Sequence, residues 1–278
     1  MRKVDAFESS DENNTCNSLL GIKIKNIVTQ KHLLVYMRMC DMHIYTNKEC
    51  LSFKKGDVIF IERGLRFNCE IKKHDKKSPP LQFVDIDTVT LNYLKDITHS
   101  LYGYKADEKQ LKLSRCLADK IIGVNTNEYY VRLFNLISNA TDNKIKAIKI
   151  AYLISKLEAR DKLIFSLRVS SAISFGDKIK KLIQDDLSKK WRLNLIADKF
   201  NVSEVTIRKR LESENTSFNN LILDLRMNKA LQLLHENEKQ IHQISKLIGI
   251  SNPSYFIKMF KDYFGVTPKQ YTLYFRIN

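Results

Sequence analysis

The sequence predicts a two-domain α+β protein, in which a barrel or sandwich of short β-strands with added helices precedes an all-helical domain. Two observations support this fold class. Short β-branched and aromatic runs separated by turn residues fill the chain from Gly21 to about Leu94, whereas the chain after Asp177 keeps a helical apolar period. In addition, one helix-turn-helix pattern occurs twice near the C-terminus, beginning at Ile196 and again at Ile244.

The N-terminal part contains seven predicted strands, and many short strands with such frequent turns are typical of an antiparallel sandwich or barrel. Gly56–Asp57, Gly64 and Ser78–Pro80 provide the turns. The strands are Ile22–Val28, Leu33–Met39, His43–Tyr45, Leu51–Phe53, Val58–Ile61, Phe67–Ile71 and Leu81–Ile86. From about Asn92 to Leu167 the apolar period becomes helical. The apolar stripe of Tyr130–Glu158 fits either a dimer contact or packing under the sheet.

These patterns predict four segments along the chain. Residues 1–18 form a flexible polar lead, and residues 19–165 form a β-rich domain with helices for regulation and dimerisation. A linker at residues 166–176 connects it to the helical domain at residues 177–278. Because the linker is short and poor in Pro and Gly, we expect close coupling between the two domains.

Each helix-turn-helix copy has an apolar segment, a residue that tolerates left-handed backbone, a capping residue and a second apolar segment. The copies are Ile196–Ser203 followed by Ile207 and Leu211, and Ile244–Asn252 followed by Phe256 and Phe260. Asn201 and Gly249 suit the turn, and Ser203 and Asn252 suit the caps. Because the second turn is one residue longer, Ser203 corresponds to Asn252 rather than to Ser251. Two such units can present two helices to successive major grooves of DNA.

The rest of the helical domain is punctuated in the same way. A periodic segment from Phe218 to about Leu234 predicts a long helix between the two units. Pro253 follows Asn252 at a first helical position, where proline is tolerated, and Thr267–Pro268 repeats that device before a last helix through Phe275.

Composition limits the classes of function. A formal net charge of +16 and a pI near 9.5 suit a polyanionic partner. There is no apolar run of membrane-spanning length and no signal-peptide pattern at the N-terminus. Five cysteines without a C-x-x-C pair fit a reducing cytoplasm. The histidines form no metal-ligand motif, and no catalytic constellation is present, so we expect neither an enzyme, nor a metal site, nor a cofactor.

The stretch Gly249–Tyr271 resembles the signature of AraC/XylS-type transcription regulators. Within that family, Thr206–Asn215 is similar to the Rns/CfaD-like subgroup of enterobacterial fimbrial and virulence activators. The resemblance implies a cupin-like N-terminal domain, a cytoplasmic bacterial regulator located at the nucleoid, and promoter DNA and RNA polymerase as partners. Thr272 departs from the family, which usually has Arg at that position.

The geometry of the two predicted recognition helices selects eight candidate DNA-binding residues. Since Ile207 and Leu211 face the core of the first unit, the opposite face is expected to contact DNA, and the family match places three of its residues at base-reading positions. Arg208 suits bidentate contact with guanine. The candidates are Val205, Arg208, Lys209 and Arg210 in the first unit, and Ser254, Tyr255, Ile257 and Lys258 in the second.

By the same resemblance, the N-terminal domain is expected to hold a small carboxylate effector such as a fatty acid, or to respond to bicarbonate. Lys31, His32 and Arg66 are the candidate anion partners. The function indicated is thus a sequence-specific activator of virulence or adhesin genes. Alternatives are a repressor or dual regulator of the same family without a ligand, and a cupin-type small-molecule binding protein. An RNA-binding or membrane-binding basic protein is disfavoured, since the double motif accounts for the C-terminal apolar residues.

Overall fold

The computed structural model describes residues 20–103, 115–124, 127–170 and 173–275. The predicted flexible lead at residues 1–18 therefore lies outside the described residues. The chain forms two compact units: the described parts of 20–24 and 29–170 make up the first, and those of 25–28 and 171–276 the second. The first unit is β-rich and residues 173–275 of the second are helical, which confirms the predicted α+β fold class.

The first unit contains two four-stranded sheets, with strand orders β1-β6-β3-β4 and β7-β2-β5-β8. The strand pairs with a defined register are antiparallel. The strands are β1 Gly21–Val28, β2 His32–Tyr36, β3 Cys40–Tyr45, β4 Cys50–Phe53, β5 Val58–Ile61, β6 Arg66–Lys73, β7 Gln82–Ile86 and β8 Ile121–Val124. All seven predicted strands are present, with ends that shift by up to three residues.

Strand β5 is buried along its whole length. Val58 and Phe60 belong to the core that the second sheet forms with the helices. Because successive side chains of a strand point to opposite faces, Ile59 and Ile61 point away from those helices. Both faces of this strand are therefore covered, which explains why its four residues are all large and apolar.

The helices of the first unit cover one face of the second sheet. They are α1 Thr88–Tyr102, α2 Leu117–Lys120, α3 Glu128–Ser138, α4 Asn143–Ser155 and α5 Arg160–Val169. Side-chain caps begin three of them: Asp87, Asn127 and Asp142 each accept a hydrogen bond from a backbone N–H three residues later. Packing under the sheet thus accounts for the buried part of the Tyr130–Glu158 stripe.

Two predictions about this region were wrong in detail. Ile121–Val124 is strand β8, paired with β5, although it lies inside the stretch that was predicted to be helical. A short apolar run has no period of its own, so only pairing with β5 decides its structure. The predicted linker at residues 166–176 also overlaps two helices, since α5 continues to Val169 and the next helix begins at Phe175.

Apart from residues 25–28 of strand β1, the described part of the second unit consists of seven helices. These are α6 Phe175–Gln184, α7 Leu193–Phe200, α8 Glu204–Ser213, α9 Phe218–Glu236, α10 Ile241–Leu247, α11 Pro253–Phe264 and α12 Pro268–Phe275. Ser174 and Asp177 form a capping box that begins α6, ahead of the predicted domain boundary at Asp177. The long helix α9 and the last helix α12 have the predicted positions.

Among the residues that the structure describes, no helix is both long and apolar enough to span a bilayer. No cluster of potential metal ligands occurs among them either. Cys40 and Cys69 are buried free thiols, and burial raises the pKa of each to about 12.

Candidate nucleic-acid interface

The first helix-turn-helix unit consists of α7, a short turn and α8. Asn201 ends α7 with a left-handed backbone (φ 50°), the conformation expected there. The hydroxyl of Ser203 then accepts a hydrogen bond from the Thr206 N–H at 3.1 Å and begins α8. Local chemistry therefore sets both the reversal of the chain and the first residue of the exposed helix.

The second unit consists of α10, its turn and α11. Gly249 has φ 74°, and a Cβ at this position would lie 2.6 Å from the Leu187 carbonyl oxygen. Glycine is thus required both by the backbone angle and by the close approach of a neighbouring loop. Asn252 begins α11 by accepting the Tyr255 N–H at 3.1 Å, which confirms that Asn252 corresponds to Ser203.

Buried side chains orient the two exposed helices. Ile207 and Leu211 of α8 are buried in a core with α6, α7 and α9. Phe256, Phe260 and Phe264 are buried along one face of α11, and the rings of Phe260 and Phe264 lie 4.7 Å apart. Each helix therefore presents its opposite face to solvent.

On α8 the exposed face contains Val205, Arg208 and Lys209, as predicted from helix geometry. Val205 is 56% exposed, so its apolar side chain is accessible from solvent on this face. The Arg208 guanidinium forms an ion pair with Glu204 at 3.1 Å, one helical turn earlier. This pair holds the Arg208 side chain along the exposed face.

Arg210 lies on a different side of α8 from the other three candidates. Its guanidinium carbon is 4.9 Å from the centre of the Phe175 ring, at the start of α6. A cation–π contact of this kind has a stabilising role within the unit. A DNA contact by Arg210 stays a prediction, and the structure provides it with another partner.

The exposed face of α11 has a different composition. Ser254, Tyr255, Ile257 and Lys258 are all exposed, with Tyr255 at 57% and Ile257 at 38%. Only Lys258 provides a cation among the four. This face therefore offers apolar and hydroxyl groups rather than the charged donors of α8.

Helix α9 makes polar contacts with the loop before α7 and with α11 that the sequence patterns did not reveal. Arg226 donates to the backbone carbonyls of Leu187 and Lys189 at 3.4 and 3.2 Å. The hydroxyl of Tyr263 on α11 donates to the Asp224 carboxylate at 2.6 Å. In the sequence, Tyr263 has the spacing of a core aromatic residue. Because a buried tyrosine hydroxyl needs a hydrogen-bond acceptor, the sequence could have indicated that Tyr263 has a polar partner, but not which one.

The three candidate effector residues do not converge on one site. Lys31 is exposed and forms an ion pair with Asp85 at 3.0 Å. His32 is fully buried, stacks on Phe60, and is hydrogen-bonded to Ser170 at 2.6 Å. Burial, with a smaller effect from Arg63, lowers the pKa of His32 to about 3, so its imidazole is neutral at pH 7.

Arg66, the third candidate, is exposed and lines a cavity of about 320 Å³ in the first unit. Neither Lys31 nor His32 is among the residues that line this cavity. Of the three candidate residues, Arg66 therefore has a position next to a space that a ligand could occupy.

Comparison with known proteins identifies the family. A family model described as a helix-turn-helix domain matches residues 196–273. The DNA-binding dual transcriptional regulator Rns of Escherichia coli is 42% identical over 256 residues, which cover 92% of this chain and 95% of that protein. The HTH-type transcriptional activator CfaD of Escherichia coli is also 42% identical, over the same shares of the two chains.

The same architecture occurs in the structure of unsaturated fatty acid bound wild-type ToxT from Vibrio cholerae. The TM-score is 0.65 at 18% sequence identity, over 96% of this chain and 98% of that one. At this identity the match concerns the fold. The sequence identity to Rns and CfaD over nearly the whole chain settles the family: this protein belongs to the AraC/XylS family of transcription regulators, in its Rns/CfaD-like subgroup.

Proposed function

We propose that this protein is a sequence-specific DNA-binding transcription factor of the bacterial cytoplasm that activates virulence or adhesin genes from promoter DNA at the nucleoid. The observation that carries the proposal is the exposed face of α8, where Val205, Arg208 and Lys209 lie opposite the buried Ile207 and Leu211. A capped helix with its cations and an apolar residue on one free face has the composition that reads base edges in the major groove.

Magnitudes favour a guanine contact for Arg208 over its intramolecular pair. An exposed ion pair such as Arg208–Glu204 contributes about 0–1 kcal/mol, because solvent screens it and two side chains are ordered. A bidentate arginine–guanine contact contributes ~1–3 kcal/mol of base discrimination. The weak, exposed pair with Glu204 is therefore a small obstacle to a contact between Arg208 and a base.

Helix α11 is proposed to provide a second, less sequence-selective contact. Lys258 is suited to a phosphate, which positions the protein without reading the sequence. Tyr255 and Ile257 provide apolar surface that fits thymine methyl groups or the shape of the groove. On this basis the first helix-turn-helix unit contributes most of the base discrimination.

The test begins with chromatin immunoprecipitation to define bound sites, followed by titration of one such fragment and a shuffled fragment. For Arg208→Ala we expect the preference for the bound site to fall by about tenfold or more, since each ~1.4 kcal/mol is a factor of ten. Weak binding that decreases with salt should remain, because other cations still contact phosphates.

Lys239→Ala is the matched control, since it removes an exposed cation from the loop between α9 and α10, outside both helix-turn-helix motifs. This variant should keep the full preference for the bound site. Equal preference in Arg208→Ala and in the unmodified protein would contradict the assignment of Arg208. Diffuse occupancy of the genome by the unmodified protein would contradict the function itself.

The direction of regulation and the use of RNA polymerase as a partner rest on the family. CfaD is named as an activator and Rns as a dual regulator, so a dual regulator without a ligand is the second candidate. Transcript profiling of a deletion strain separates the two, because an activator alone gives only decreased transcripts at bound promoters. Increased transcripts at bound promoters would favour the dual regulator.

Two finer proposals concern the β-rich unit, residues 20–24 and 29–170. A small carboxylate effector, a fatty acid or bicarbonate, is supported by the fold shared with the fatty acid bound ToxT. A homodimer is supported by exposed large apolar residues on α3 and α4, which face solvent in the single chain. These residues are Tyr129, Leu136, Ile145, Ile148 and Tyr152.

A further inference from the structure

A cavity of about 320 Å³ lies where the turn after β5 meets the β3–β4 turn and the start of α2. Its lining consists mostly of charged and polar side chains from these separate segments. The lining residues are Thr46, Lys48, Glu49, Glu62, Arg63, Gly64, Leu65, Arg66, Arg115, Leu117 and Lys120. This volume is at the lower end of the range for small-molecule sites.

The lining is strongly cationic. Among the described residues around the cavity, five cationic side chains face two carboxylates. The cations are Lys48, Arg63, Arg66, Arg115 and Lys120. A partly enclosed space with one dominant sign of charge concentrates ions of the opposite sign.

One carboxylate, that of Glu62, is paired with Arg115, so these two charges offset each other and leave four cations and the Glu49 carboxylate around the cavity. Arg115 donates to both oxygens of Glu62 at 2.9 and 2.6 Å, and the side chains are only 10% and 8% exposed. Ser166 donates to Glu62 at 2.5 Å. The Glu49 carboxylate accepts the Leu117 N–H at 2.5 Å.

The cavity does not suit an acyl chain. Leu65 and Leu117 are the only large apolar residues of the described lining, and both are largely buried beneath it. An alkyl tail would displace water from arginine and lysine side chains without covering apolar surface, which is unfavourable. Arginine pairs best with oxyanions that accept two parallel hydrogen bonds.

We propose that this cavity binds a compact oxyanion with at least two negative charges, of the kind presented by a phosphate group or a small polycarboxylate. Arg63, in the β5–β6 turn, and Arg66, the first residue of β6, provide the directional contacts, while Lys48 and Lys120 provide charge from other lining segments. All of these residues belong to the β-rich unit, and the proposal rests on the proposed effector binding, which it narrows to a ligand class.

Calorimetric titration of the full chain with inorganic phosphate, citrate and decanoate tests this site. We expect phosphate and citrate to bind. Any heat of decanoate binding should be the same in the unmodified chain and in a variant that lacks the Arg63 and Arg66 guanidinium groups. The double variant Arg63→Gln/Arg66→Gln should weaken citrate binding by about tenfold or more, because two charge-assisted contacts are lost. Both side chains are at least partly exposed, so the variant should fold.

Two controls separate this site from general attraction of anions to a basic protein. Lys72→Gln removes an exposed cation of β6 that does not line the cavity, and Arg208→Ala removes one from α8. Both should bind citrate as the unmodified chain does. Equal weakening in either control, or unchanged citrate affinity in the double variant, would overturn the proposal.

A higher affinity for decanoate than for citrate that is lost in the double variant would also overturn the proposal, since the cavity would then bind an acyl carboxylate. Promoter binding by the double variant is measured in parallel. Loss of citrate binding with normal promoter binding supports the cavity alone. Failure of promoter binding in the unmodified chain concerns the proposed function and leaves the citrate result to be judged independently.

Discussion

The two helix-turn-helix units share one backbone plan but differ in what they bury and what they expose. In the first unit the exposed helix α8 is anchored by the aliphatic residues Ile207 and Leu211. In the second, α11 is anchored by aromatic rings, with Phe256 and Phe264 on either side of Phe260 at centre distances of 5.8 and 4.7 Å. The first unit has the smaller anchor and the second the larger.

The exposed faces differ in the opposite sense. The α8 face contains Arg208 and Lys209, whereas among the four candidates on α11 only Lys258 is a cation. Arginine can read guanine through two parallel hydrogen bonds, whereas a single lysine suits a phosphate and apolar groups suit thymine methyl groups or groove shape. This difference supports the proposal that the first helix-turn-helix unit discriminates between bases and that the second positions the protein on DNA.

The largest effect should come from removing the central ring of the aromatic anchor. Phe260→Ala is expected to decrease the free energy of unfolding of the second unit by ~3–5 kcal/mol, because Phe260 is fully buried between two rings. The corresponding truncation in the first helix-turn-helix unit, Ile207→Ala, removes a smaller side chain and should cost about 2–5 kcal/mol. Urea denaturation followed by circular dichroism measures both, and equal losses would remove the distinction between the anchors.

The next effect concerns the turn of the second unit. Gly249→Ala should cost about 1–3 kcal/mol for the left-handed backbone alone. It should cost more in total, because the added Cβ would lie 2.6 Å from the Leu187 carbonyl oxygen. Gly56→Ala is the control, since Gly56 has φ 93° and a Cβ added there would meet nothing within 4 Å. A smaller loss of unfolding free energy in Gly249→Ala than in Gly56→Ala would show that the contact relaxes.

The smallest effect tests the equivalence of the two caps. Ser203→Ala and Asn252→Ala should each cost ~1 kcal/mol, because each side chain accepts one backbone N–H at 3.1 Å. Ser251→Ala, next to the second cap, should change the unfolding free energy by less than about 0.5 kcal/mol, as an exposed side chain away from the cap. A larger loss in Ser251→Ala than in Asn252→Ala would shift the correspondence between the units by one residue.

Much of the candidate DNA-binding face could be predicted because helix geometry and a cap depend on neighbours within four residues. Burial of Ile207 and Leu211 leaves Val205, Arg208 and Lys209 exposed on any regular helix at this position. Arg210 shows the limit of that reasoning. Its contact with the Phe175 ring joins two helices, so the spacing within α8 could not reveal it.

The structure of the N-terminal unit was less predictable because much of it depends on contacts between residues that are distant in sequence. Strand β8 exists because Ile121–Val124 pairs with β5, and no local pattern marks that pairing. Lys31 and His32 are adjacent in sequence, yet one is an exposed ion-pair partner and the other is fully buried. Burial of His32, which stacks on Phe60, is what lowers the pKa of this imidazole and keeps it neutral at pH 7.

By itself, the sequence determined the fold class, seven of the strands, the two capped turns and the family, because these depend on local backbone preferences, apolar period and a specific motif. Only the tertiary structure decided which distant polar groups meet. Glu62, Arg115 and Ser166 are far apart in the chain but form one hydrogen-bonded cluster beside a cationic cavity. Tyr263 and Asp224 meet in the same way across two helices. Such contacts require the chain to fold first, since burial selects the partner of each polar group.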